Sequence, residues 1–167
     1  MQIRTETEAD FDAIRELNKA AFEGEAEARL IDGLRQNAAP IISLVAEDEG
    51  SIVGHILFSP ATHSEDAELK LMGLAPMAVA PAVQRSGIGS ELVTAGLEQC
   101  RELGVAGVVV LGHPNYYPRF GFESSTSFGI VSEYDVPEGV FMVLELQEGA
   151  LRDKAGRVHY HREFSKL

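Results

Sequence analysis

The sequence predicts an α/β fold, a mixed β-sheet with helices packed against it. Three features carry this expectation. Stretches of strand and helix periodicity alternate along the chain as strand, two helices, several strands, a helix, a strand, a short helix and more strands. Residues 106–111 (AGVVVL) form a continuous apolar, β-branched run, the pattern of a strand covered on both faces. With 167 residues, 45% of them hydrophobic, the chain can fill one core and is short for two domains.

Each element has a local reason. Gln2–Thr5 reads as a short first strand. Thr7, with Asp10 three positions on, has the form of a capping box, and Phe11, Ile14, Leu17 and Ala21 then recur at helical spacing. A second helix is expected over 25–36 with Leu30, Ile31 and Leu34 as its apolar stripe, and residues 37–40 end it at Pro40. Residues 41–46 read as a strand, EDEGS as a turn and 51–62 as the returning arm of a hairpin. The polar HSEDAE turn leads to a strand over 69–79. Pro76 inside it marks either an edge strand or a point where pairing stops, because proline has no N–H to donate to the ladder. A helix follows Gly87 and Gly89, residues 140–146 form the last clear strand, and the tail HYHREFSKL has no strong period. No linker, repeat or low-complexity segment interrupts the series.

Charge narrows the function. The chain carries 14 basic and 26 acidic residues, a net charge of -12, which argues against nucleic-acid binding through a basic surface. The acids are unevenly placed: 15 acidic and 6 basic side chains in residues 1–70, 3 and 3 in 71–120, 8 and 5 in 121–167. The balanced segment suits an anion site, although a buried core segment also carries few charges. One cysteine, Cys100, provides neither a disulfide framework nor a multi-cysteine metal site, and its place in a helix pattern fits simple burial. The chain is charged from its start, and no apolar run approaches the about 20 residues of a membrane span, so no membrane partner and a cytoplasmic location are expected.

Within the balanced segment, VAPAVQRSGIGSELV places two glycines between a strand pattern and a helix pattern. A nucleotide triphosphate loop needs lysine after the second glycine, and Ser90 follows Gly89 here. A dinucleotide fingerprint needs a third glycine where Leu92 stands. What remains is a helix N-terminus with free N–H groups and a partial positive charge, preceded by Gln84 and Arg85 and flanked by the hydroxyls of Ser86 and Ser90. Taken alone, this pattern is equally that of a tight turn with a surface arginine.

Gln84, Gly87 and Gly89 occupy the three defining positions of a pattern written Q/R-x-x-G-x-G/A, and in YYPRFGF Tyr117 stands four residues before Gly121–Phe122. The two markers together resemble the GNAT superfamily of N-acetyltransferases, of uncharacterised bacterial type. The resemblance implies a single-domain GNAT fold over residues 1–167, a mixed central β-sheet with splayed parallel strands flanked by helices. It implies acetyl-CoA as cosubstrate and no metal. Backbone N–H groups of Gln84, Arg85, Ser86, Gly87, Ile88, Gly89 and Ser90 would hold the pyrophosphate, with Arg85 adding charge, while Met77, Ala78 and Val79 would meet the pantetheine arm. Tyr117 would be the acid that protonates the departing thiolate, its neighbour Tyr116 being the alternative and packing beside Phe120 and Phe122 its plain structural role. Asn115 and Arg119 flank it and would touch the coenzyme.

No base is legible among His63, Glu65 and His113. Glu25 and Glu27 either attract a cationic amine or serve as ordinary first-turn acids. The expected reaction is direct transfer of acetyl to the primary amine of a small molecule or protein, by a monomer or homodimer. The rival is a non-catalytic coenzyme A-binding regulatory module, which has no need of Tyr117.

Overall fold

The computed structural model describes the whole chain, Met1–Leu167. In chain order the elements are β1 (Gln2–Thr5), α1 (Phe11–Phe22), α2 (Ala26–Asn37), β2 (Ile42–Asp48), β3 (Ser51–His63), β4 (Leu71–Val79), α3 (Ile88–Glu102), β5 (Gly107–Leu111), β6 (Glu123–Ser124), β7 (Ile130–Ser132), β8 (Phe141–Glu145) and β9 (Gly156–His159). The sheet order is β1-β2-β3-β4-β5-β8-β6, with β9 pairing β3 and β7 pairing β9. The pairs β4–β5 and β7–β9 are parallel, so the sheet is mixed. The chain divides into two compact units, the first from Met1–Ser59, Ala75–Gln99 and Arg162–Leu167, the second from Pro60–Leu74 and Cys100–His161.

In the first unit β1, β2 and β3 form an antiparallel meander. The entry to α1 is the capping box read from the sequence: the Thr7 N–H donates to Asp10 Oδ2 at 2.7 Å. Arg4 holds the same carboxylate through both oxygens at 2.7 and 2.9 Å, keeping Asp10 well below the usual carboxylate range. Helix α1 buries Ile14 and Leu17, and α2 buries Leu30, Ile31 and Leu34, which are the stripes that the spacing predicts.

A polar chain runs through this layer. Arg35 donates to both oxygens of Glu6 at 2.8 Å, Ser43 Oγ donates to Glu6, and His55 Nε2 lies 2.8 Å from Ser43 Oγ. Burial holds His55 down to about 4, and its Nδ1 has no hydrogen-bond partner.

Glycines set α3 on β3. A Cβ at Gly54 would stand 2.8 Å from Ile88 and 3.0 Å from Leu92, and one at Gly96 would enter the ring of Phe58. Glycine inside a helix costs about 1 kcal/mol of propensity. Here that cost is accepted where the Phe58 ring lies against the helix backbone, and the contact fixes the direction from which the 84–90 turn emerges.

In the second unit β5 pairs β8 over its full length, and β6 extends the sheet beyond β8. The parallel register between β4 and β5 covers Leu71–Gly73 against Gly107–Val109. Pro76 lies three residues beyond the last β4 position paired with β5. Since β4 lies between β3 and β5 in the sheet order, it is not an edge strand, and the proline falls where its pairing with β5 has stopped. The tail, without a period in the sequence, forms β9 and a short helix at Arg162–Lys166. Strands of two to four residues, such as β6, β7 and β9, are too short to show alternation. No helix is long and apolar enough to cross a membrane.

Candidate functional site

The glycine turn belongs to the first unit. A short 3₁₀ turn at Pro81–Val83 follows β4, and the chain then bends through Gln84 to Gly87 into α3. Two side chains hold the bend from within: Gln84 Nε2 donates to the Val79 carbonyl at 3.1 Å, and Ser86 Oγ donates to the Val83 carbonyl. Arg85 has φ 64° and Gly87 φ 91°, both left-handed, and a Cβ at Gly87 would meet nothing within 4 Å. Glycine is therefore needed at 87 for its backbone angle and not for lack of space.

The Glu91 N–H reaches the Gly87 carbonyl at 3.1 Å, the first intrahelical bond of α3. The N–H groups of Ile88 and Gly89 thus fall in the helix's first turn, where no intrahelical carbonyl is available to them. Arg85 is exposed and forms no ion pair, despite 26 acidic residues in the chain. Met77 and Val79 are half-buried along β4, while Ala78 is buried.

Tyr117 belongs to the second unit, at the start of a 3₁₀ turn, Tyr117–Phe120, ended by Gly121 with φ 98°. The residue is 7% exposed. Its ring meets Tyr116 edge-on at 5.0 Å and Phe122 at 5.6 Å between centroids. A Cβ at Gly112 would stand 2.9 Å from Tyr117 Cδ2, so that side of the ring lies against the glycine. Burial first, then the neighbouring Tyr116, push the Tyr117 phenol up to about 12, so at neutral pH it keeps its proton. Tyr116 is half-buried with the Arg119 guanidinium 4.4 Å above its ring, and Asn115 is exposed in the preceding turn.

The other sequence candidates separate on their partners. His63 is buried with both ring nitrogens engaged: Nδ1 accepts the Glu65 N–H at 3.0 Å, and the Nε2–H donates to the Lys154 carbonyl at 2.7 Å. It holds β3 to the 154 loop and has no nitrogen left for a substrate. Glu25 is shared by Arg29 at 3.2 Å and Lys19 at 3.8 Å, which leaves it little charge for a cationic ligand. Cys100 is buried, with its thiol pushed up to about 12 by burial and its Sγ 3.9 Å from Met72 Sδ. No group of three or more histidine, cysteine or acidic side chains is placed to hold a metal ion.

One residue escaped the sequence reading. Tyr160 lies in the aperiodic tail, yet it is buried, and its ring covers Gly73, the last β4 residue paired with β5. Burial, then Tyr134 and Tyr117, hold its phenol well above the usual tyrosine range, against a hydrogen bond from the Leu111 backbone. Its ring stacks on Tyr134 at 6.1 Å and meets Phe141 edge-on at 6.5 Å. The alternation Val158–Tyr160 was the only available signal.

A family model described as an acetyltransferase (GNAT) domain matches residues 2–125. The chain is 36% identical over 168 residues to the uncharacterised N-acetyltransferase YhbS of Escherichia coli K12, with 100% of both covered. Its fold superimposes on a crystal structure of the E. coli YhbS protein in complex with CoA with a TM-score of 0.90 at 35% identity, covering 98% of this chain and 91% of that one. A GNAT family acetyltransferase from Brucella melitensis, in complex with acetyl-CoA, gives a TM-score of 0.80 at 35% identity, covering 98% and 97%.

Proposed function

Since the chain belongs to the GNAT family of acetyltransferases, we propose that it moves the acetyl group of acetyl-CoA to a primary amine by direct attack, with residues 1–167 acting as one N-acetyltransferase domain. The observation that carries the reading is the likeness, over nearly the whole chain, to a relative crystallised with CoA, joined to a turn that presents first-turn N–H groups beside an unpaired arginine.

In this reading the pyrophosphate rests on the backbone from Gln84 to Ser90, and Arg85 supplies a permanent charge. The polar backbone of Met77, Ala78 and Val79 pairs with the amides of the pantetheine arm, and Asn115 contacts the coenzyme. An N–H of the same strand faces the thioester oxygen and stabilises the charge that grows on it during attack. The neutral amine forms the C–N bond, the C–S bond breaks with the sulfur leaving as a thiolate, and the acetylated nitrogen gives up its extra proton to solvent to leave the amide. Tyr117 gives that thiolate its proton and recovers one from solvent. A phenol held at about 12 is protonated at neutral pH, which suits an acid and not a base.

Thiol release from acetyl-CoA across a panel of amines tests this reading. Turnover on a primary amine supports it. Binding of acetyl-CoA with no turnover on any acceptor would make the chain a coenzyme-binding module instead.

A further inference from the structure

The second unit holds a cavity of about 380 Å³ lined by residues 125–126, 131–139, 141 and 157. That volume suits a small molecule. Its chemistry is uneven. Three acids, Glu133, Asp135 and Glu138, share its lining with one guanidinium, Arg157, which donates to the Ser132 carbonyl at 2.8 Å. Asp135 and Glu138 form no ion pair within the chain, and Glu133 accepts the Tyr160 N–H at 2.9 Å.

Two further observations point to a ligand. Ser125 is 6% exposed and lines the cavity, and its hydroxyl, with no hydrogen bond to the chain, opens to that space instead of being sealed in the core. At the mouth, Tyr134 and Val131 are 39% and 45% exposed, so an aromatic and an aliphatic face stand in solvent beside unpaired carboxylates. An aromatic face next to acids favours an organic cation, through the ring quadrupole and the charges together.

The cavity also has a direction. Its walls Tyr134 and Phe141 pack on Tyr160, whose buried phenol lies close enough to Tyr117 to be held up in part by it. We propose that this cavity binds the acceptor, a small aliphatic amine bearing a second cationic group, with that group held by Tyr134, Asp135 and Glu138 and the Ser125 hydroxyl bonded to the ligand. The acceptor role rests on the acetyltransferase reading above. Cation binding itself does not.

Calorimetric titration of the protein without coenzyme, using diaminobutane and the monocationic butylamine as probes, tests it. Two carboxylates at a partly exposed site are worth about tenfold in affinity, so Asp135→Asn with Glu138→Gln should weaken diaminobutane by about tenfold. Tyr134→Leu should weaken it by about threefold. Butylamine should bind more weakly than the diamine and be less affected by the double substitution. Both carboxylates are exposed and unpaired, so the variants should melt as the parent does.

Diaminobutane affinity unchanged in the double variant overturns the site, as does a loss found instead in Glu27→Gln. Turnover of amines that ignores Asp135 and Glu138 removes the acceptor role and leaves the family reading intact. Diamine binding that depends on them, in a protein that acetylates nothing, keeps the site and removes the reaction.

Discussion

The turn at 84–90 and the cluster around Tyr117 are built from opposite materials. The turn is mostly exposed, and its donors belong to the backbone; side chains serve mainly to hold the bend, as Gln84 and Ser86 do. Around Tyr117 the backbone is plain and the work is done by packed rings, with one glycine beneath them to make room. An anion site made of N–H groups tolerates exchange of its side chains and fails when a backbone angle is lost. A phenol tuned by burial fails when its own atom, or the floor under it, is changed.

The largest effect should come from the phenol. Tyr117→Phe keeps the ring contacts and removes the proton, so kcat should fall by about 100-fold or more, while acetyl-CoA affinity, measured by calorimetry, stays within about twofold. An unchanged rate and pH profile would remove Tyr117 as the acid.

Acid should divide the two regions next. His55 is held below its unfolded value, and it lies on β3, the strand on which α3 sits; its charged neighbours are Glu6 and Arg35. Its contribution is complete above about pH 6.5 and is lost as pH falls from there through about 4, because in that window only the unfolded chain takes the proton. Two and a half pKa units correspond to about 3 kcal/mol as an upper figure. Melting temperature followed across this range should fall in the parent and fall less in His55→Gln.

Gly112→Ala pushes a methyl into the Tyr117 ring and should cost about 1–3 kcal/mol of stability by denaturant titration, with the rate lowered as the ring moves. Gly87→Ala meets no atoms and costs only the left-handed angle, about 1 kcal/mol. It should therefore weaken acetyl-CoA by about fivefold and spare kcat at saturation. Reversal of these two, with Gly112 affecting coenzyme affinity and Gly87 affecting only kcat, would break the contrast.

How much of this was legible follows from the same contrast. The helices and the long strands were readable because they bury periodic stripes: Ile14 and Leu17, Leu30 and Leu34, and the run from Val108 to Val110 all lie in the core. Boundaries shifted by one or two residues, as at β2 and β4. The turn was readable because its chemistry is local, with Gln84, Gly87 and Gly89 within six positions.

Tyr160 was not readable. It meets Gly73 and Tyr134 only after the chain has folded back, and no local pattern marks such a meeting. The cavity beside it was hidden for the same reason: EYDVPEG is an acidic loop until Ser125 and Phe141 close it from elsewhere in the chain. His63 shows the reverse, a histidine that is one of several candidates in sequence and is spent on two backbone partners in the fold.

The central claim is transfer of acetyl from coenzyme to amine. Mass spectrometry of a primary-amine panel incubated with the protein and acetyl-CoA tests it most directly. The account predicts an acetylated amine formed in step with free coenzyme A thiol, at a rate cut by Tyr117→Phe. Tight acetyl-CoA binding with no acetylated amine anywhere in the panel would contradict it.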